Sequence, residues 1–199
     1  MYWSIPPRYH YGQENYAYWE NFLSNETIDK ILARPEWINS YAAKVGSQNG
    51  EGIVNKELRR TDIAWLGFDN ETRPLWETLG NVVSEVNRRF FHFDLTGCYE
   101  AMQLGIYKAG DNGHYGWHTD AYNNDGSPRK LSMSLILSDP SEYEGGELQI
   151  KTDSDEIKTL PCPRGRAWFF PSYVLHRVTP VTKGVRRSLV LWVGGPPFK

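Results

Sequence analysis

His118-Thr119-Asp120 places an imidazole and a carboxylate two residues apart. On extended backbone, positions i and i+2 point to the same side, so His118 and Asp120 can face one point. The spacing alone is weak, but His176, in the segment running from Pro171 to Pro180, supplies a third donor. Two imidazoles and one carboxylate make the facial triad that holds non-haem Fe(II) and leaves three positions open. Thiolate ligands would favour zinc or clusters instead, and both thiols, Cys98 and Cys162, lie outside the triad. Ten residues beyond His176 comes Arg186-Arg187-Ser188. Alternation on a strand puts Arg187, Leu189, Leu191 and Val193 on one face, and Arg186, Ser188, Val190 and Trp192 on the other. An arginine beside a serine on a half-apolar face is a receptor for one carboxylate. A planar, bidentate pair of that kind is charge-assisted and contributes roughly 1.5–3 kcal/mol. Arg186 is therefore favoured over Arg187.

These residues sit in a longer pattern: Tyr107-Lys-Ala-Gly110, Tyr115-Gly-Trp-His118-Thr-Asp120, Glu144-Gly-Gly-Glu147-Leu148, and His176 followed by Arg186 and Ser188. In this order, the block from Gln103 to Trp192 resembles the Fe(II)- and 2-oxoglutarate-dependent oxygenases, in their prolyl 4-hydroxylase-like (PKHD-type) branch. The motifs cover about half of the chain. The resemblance implies a double-stranded β-helix with the metal in its open mouth, bound by His118, Asp120 and His176. It implies that Arg186 holds the distal carboxylate of 2-oxoglutarate with help from Ser188 and a tyrosine, Tyr107 before Tyr115. The implied reaction decarboxylates 2-oxoglutarate to succinate and CO2, with dioxygen as co-substrate and ascorbate as reductant, and hydroxylates a protein or peptide side chain, proline first. The same chemistry on a free amino acid or other small molecule is the alternative substrate class. A non-catalytic, metal-holding jelly-roll module is the alternative of a different kind, and the intact Arg186–Ser188 receptor argues against it. Nucleic-acid demethylases of similar pattern carry a second arginine six residues after the first, where this chain has Trp192.

The elements that must position these groups divide near residue 100. Before it, helix signals dominate. Ser24 can cap a helix through Ile28, Ile31 and Leu32, with Leu23 and Ile28 placed as a hydrophobic staple, and Pro35 ends it. Pro74 starts a second helix that carries Leu75, Leu79, Val82, Val83, Val86 and Phe90 at three- and four-residue spacing. Arg60 to Leu66 reads as a strand joining a later sheet. After residue 100 the period becomes two, with strands expected over 101–107, 130–137, 147–151, 166–170 and 187–193. The expected fold is α+β: a double-stranded β-helix (jelly-roll) core at 100–199 behind N-terminal packing helices at 1–99, one oxygenase domain in all. Gly145-Gly146 reads as a bulge or a close strand approach, and Glu147 as a strand-turn residue. His10, His92 and His114 read as surface or core histidines. Trp168 and Trp192 read as core. The aromatic residues Tyr2, Trp3, Tyr9, Tyr11, Tyr16, Tyr18 and Trp19 read as a strip docked over the barrel. The segments 46–57 and 121–129 read as loops, the second as a lid anchored on the metal site.

Composition sets the outer limits. The chain has 199 residues and a net charge of −2, so nothing marks a global polyanion-binding surface. Two cysteines are too few for a disulfide framework and read as reduced thiols of a cytoplasmic protein. No segment approaches the length of apolar residues that a membrane span needs. Oligomeric state has no signature in the sequence.

Overall fold

The computed structural model describes residues 15–46, 52–123, 126–152 and 155–197. The N-terminal half supplies β1 (Ala17–Trp19), α1 (Asn25–Leu32), β2 (Tyr41–Ala42), β3 (Arg59–Arg60), β4 (Asp62–Leu66) and α2 (Arg73–Val86). The C-terminal half supplies β5 (Met102–Lys108), β6 (His114–His118), β7 (Arg129–Ile136), β8 (Tyr143–Gly145) and β9 (Leu148–Lys151). It continues through β10 (Ile157–Leu160), β11 (Ala167–Pro171), β12 (His176–Val178) and β13 (Val181–Gly194). Among the described residues the strands make two antiparallel sheets. The larger runs β1-β11-β7-β13-β5-β4-β2, with β8 on the first part of β13, and the smaller runs β10-β9-β12-β6-β3.

Both helices form where the sequence places them. The Ser24 side chain accepts the Thr27 N–H at 3.2 Å and caps α1, and Leu23 and Ile28 are both buried beside it. After Val86 the second helix widens into a π turn over Asn87–Phe91, closed by His92 in the left-handed region at φ 55°. Ile28, Leu79, Val83 and Val86 pack on Leu104, Leu131, Met133, Leu135, Leu189 and Leu191, which cover one face of the larger sheet. A second core of Leu148, Ile150, Leu160, Trp168, Phe170, Val178 and Val181 surrounds Tyr107. The helices thus back the larger sheet, and the other face of that sheet looks onto the site.

The long strands expected from alternation are present, each displaced by about one residue, and β13 begins six residues earlier than expected. β1, β2, β6, β8, β10 and β12 were not expected as strands; they have two to five residues, too short for a period to show. The strand expected over 60–66 is interrupted at Thr61. β3 before it pairs with β6 in the smaller sheet, and β4 after it pairs with β5 in the larger. Thr61 is buried; its Oγ1 donates to the His114 carbonyl at 3.3 Å and its own carbonyl accepts from the Ala43 N–H. Bridges Val45↔Ile53 and Tyr122↔Pro128 close the bases of the two expected loops, whose tips lie outside the described residues. Tyr2, Trp3, Tyr9, Tyr11 and His10 also lie outside them. Within the aromatic strip, Tyr16 and Tyr18 do lie against Trp168, with ring centroids 5.8 and 5.1 Å away.

Candidate functional site

Strand pairing brings the two histidines together. His176 of β12 is the direct cross-strand partner of His118 of β6, and their ring centroids are 4.1 Å apart. Asp120 follows β6, with its N–H held by the Ser172 carbonyl at 2.8 Å. Its Oδ1 lies 3.7 Å from His118 Nε2 and its Oδ2 lies 3.4 Å from His176 Nε2. The three donor atoms all fall within 4.8 Å of one another. Each Nδ1 is engaged by a backbone carbonyl, Gly116 at 2.8 Å for His118 and Val174 at 2.9 Å for His176. That contact puts the proton on Nδ1 and leaves each Nε2 lone pair aimed at the common centre. Ser132 donates to Asp120 Oδ2 at 2.9 Å and meets Ser172 Oγ at 2.9 Å, which fixes the carboxylate plane.

The electrostatics match this geometry. Burial, reinforced by neighbouring His176, holds the His118 imidazole well below its ordinary value, so it is neutral near pH 7. Burial opposes ionisation of Asp120, but facing His176 and His118 outweigh it and hold the carboxyl below the usual range. The Trp192 indole N–H adds to that effect by proximity, without hydrogen-bond geometry. Two imidazoles and one carboxylate, with every donor atom turned inward, fit a divalent metal of the Fe(II) type.

Arg186 lies in the same cavity of about 660 Å³ as the three donors. The alternation in β13 is as expected. Leu189, Leu191 and Val193 enter the helix-backed core, while Arg186, Ser188, Val190 and Trp192 line the cavity. Arg186 is 1 % exposed, and none of its three guanidinium nitrogens has a hydrogen-bond partner. Tyr107, its direct neighbour on β5, presents its ring 5.1 Å from Cζ. The Tyr143 phenol and the Cys162 thiol are close enough to feel its charge, though neither bonds to it in normal geometry; burial pushes both up. A buried, unpartnered guanidinium is costly unless an anion completes it, so this end of the cavity fits a carboxylate-bearing ligand. Ser188 lies two positions along the same face, opposite Gly105, where an added Cβ would come within 3.2 Å of the serine Oγ.

Gly145 and Gly146 are the backbone device expected. Both have positive φ, 73° and 60°, and a Cβ at Gly146 would lie 2.8 Å from Arg186 Cδ. Tyr115 occupies a different place from Tyr107: its ring stacks on His118 at 3.4 Å and 14°. His114 bonds to the Asn112 and Glu57 carbonyls, and Glu147 accepts from Gln149; both serve the backbone or the surface, as expected. Five contributors went unread in the sequence: Arg59, Gln103, Ser132, Tyr143 and Ser172. Tyr143 stands two residues before the glycine pair, which could have flagged it. Arg59 and Gln103 carry no local motif.

The model of the 2OG-Fe(II) oxygenase superfamily matches residues 102–194. A PKHD-type hydroxylase of Klebsiella pneumoniae is 34% identical over 170 residues, 81% of this chain and 69% of that protein. One from Xylella fastidiosa is 34% identical over 178 residues, covering 84% and 72%. Among solved structures, a Pseudomonas putida prolyl-4-hydroxylase superposes with a TM-score of 0.70 at 18% identity, covering 92% of this chain and 94% of that one. A Trichoplax adhaerens prolyl hydroxylase, in complex with a hypoxia inducible factor peptide fragment, gives 0.72 at 19%, covering 91% and 84%. At those identities the likeness is one of fold: the double-stranded β-helix.

Proposed function

The chain belongs to the PKHD-type hydroxylases of the 2OG-Fe(II) oxygenase superfamily, and from that premise we propose that it hydroxylates a side chain of a protein or peptide, proline first. His118, Asp120 and His176 hold Fe(II). Arg186 binds the distal carboxylate of 2-oxoglutarate, with Ser188 beside it and Tyr107 across the strand pair; Tyr115, stacked on His118 in the same cavity, is the second tyrosine in reach of the co-substrate. The bound metal, 2-oxoglutarate and dioxygen supply the oxidising chemistry, in which 2-oxoglutarate leaves as succinate and CO2 and one oxygen atom enters a substrate C–H bond. Ascorbate serves as the external reductant that keeps the metal ferrous. The chain's own residues orient and exclude. Ser132 and Ser172 fix the Asp120 carboxylate, the Nδ1 contacts fix both imidazole tautomers, and Phe170, with its ring 4.7 Å from that of His176, covers the metal edge with apolar surface. The two free thiols, Cys98 and Cys162, support action in the reducing cytoplasm.

One observation carries this reading: a fully buried guanidinium without a partner shares its cavity with an inward-facing His, Asp and His. A structural metal site has no need of that anion receptor. Anaerobic titration of the metal-free protein with Fe(II) and then 2-oxoglutarate tests it. A weak visible charge-transfer band should require both additions, disappear in Asp120→Ala and weaken at least tenfold in apparent 2-oxoglutarate affinity in Arg186→Ala. No band from a folded protein would sink the oxygenase assignment of these residues.

A further inference from the structure

The charges lining the cavity do not cancel once metal and co-substrate are counted. Six side chains there carry charge: Lys44, Arg59, Glu100, Asp120, Arg129 and Arg186. Glu100 and Arg129 neutralise each other through a forked ion pair, with Nε to Oε1 at 2.6 Å. A divalent metal with Asp120, and a dianionic co-substrate with Arg186, sum to zero. Arg59 and Lys44 remain. Lys44 is exposed at the rim, where water screens it. Arg59 is only 8 % exposed. Its Nη2 donates to the neutral Gln103 Oε1 at 2.7 Å, its Nε has no partner, and no carboxylate among the described residues pairs with it. Its guanidinium lies 4.3 Å from the Tyr115 ring centroid, and that ring stacks on His118.

Arg59 keeps one hydrogen bond and a ring contact but meets no opposite charge, and an incoming anion offsets the cost of burying that charge. Gln103 and Tyr115 hold the planar fork in place, the preorganisation that bidentate carboxylate recognition needs. The two stacking contacts put the guanidinium within about 8 Å of the His118 ring, the span of roughly two extended residues. We propose that Arg59 is a specificity-determining residue that receives a carboxylate of the substrate, carried within about two residues of the carbon that is hydroxylated. The carboxylate comes from an Asp or Glu flanking the target in a peptide, or is the α-carboxylate of a free amino acid. This inference rests on the oxygenase reading above.

The test uses full-length protein loaded anaerobically with Fe(II) and 2-oxoglutarate, so the charge-transfer band reports separately on that reading. In one arm, degenerate pentapeptides with central proline and Glu fixed on either side are compared with the same pools carrying Gln. In the other, L-proline is compared with L-prolinamide. Binding is read as perturbation of the band, and succinate release is followed on admission of air. The acid should bind at least tenfold more tightly than its amide in one arm, and the arm that shows it identifies the source. Arg59→Gln should reduce the ratio below threefold, while Arg59→Lys should retain part of it; near-UV circular dichroism and the band itself show that each variant is folded. Equal binding of acid and amide in both arms, or a ratio that survives Arg59→Gln, overturns the inference while the band stands. Failure of the band to form overturns the oxygenase reading instead.

Discussion

Arg186 shows most clearly what a single residue contributes and costs. Its buried charge lacks a partner, so the ligand-free protein carries a penalty that ligand binding relieves. Arg186→Met fills similar volume without charge and should stabilise the ligand-free protein by at least about 1 kcal/mol in urea denaturation. Saturating 2-oxoglutarate should stabilise the wild type by about 2.7 kcal/mol at a hundredfold excess over its dissociation constant, and the variant at the same concentration by no more than about 1.4 kcal/mol, the figure for a tenfold weaker site. A loss of stability in the ligand-free variant would mean that the guanidinium makes contacts of its own. At this scale the sequence was legible where chemistry is local. Two-residue spacing set His118 beside Asp120, and strand alternation chose Arg186 over Arg187. It was illegible where chemistry comes from folding: Arg59 meets Gln103 across 44 residues, and no pattern within either segment announces the other.

Among the elements, β8 and the Gly145–Gly146 turn that ends it shape the Arg186 end of the cavity. β8 pairs with the first part of β13, and its glycines let the backbone press against Pro180 and Arg186: a Cβ at Gly145 would lie 2.3 Å from the Pro180 carbonyl oxygen. Gly146→Ala puts an L side chain into the left-handed region, at about 1–2 kcal/mol, and pushes on Arg186 Cδ. It should lower stability by about that amount. It should also weaken 2-oxoglutarate binding at least tenfold by isothermal calorimetry, with little change in metal affinity; unchanged 2-oxoglutarate binding would show that this turn does not set the Arg186 position. Elements with several turns or a full strand period could be read in advance, as Ser24 with α1 and the alternation of β7 and β13 illustrate. The strands that carry ligands could not. β6 and β12 are only five and three residues long, and the polar donors they carry interrupt the apolar rhythm by which a strand is recognised.

For the whole molecule, two cores separate stability from chemistry. The helices and the back of the larger sheet form one core; the ligands stand on the other side of that sheet. Leu79, 1 % exposed in α2, belongs wholly to the first. Leu79→Ala should cost about 2–5 kcal/mol in denaturant midpoint analysis, while the folded fraction keeps its metal and 2-oxoglutarate affinities within about twofold. A large affinity change would mean that the helical layer sets the site directly. The division near residue 100 describes composition better than it describes assembly. Chain from before that point adds β1, β2 and β4 to the larger sheet and β3 to the smaller.

The crossing at Thr61 makes this interlocking mechanical. β3 is bonded into one sheet and β4 into the other, with a single buried residue between them, so the two sheets are riveted along this rim of the mouth. Parting the sheets at this corner would break the pairing of β3 with β6 or of β4 with β5, so the wall of the mouth that carries Arg59 is as firm as the sheets themselves.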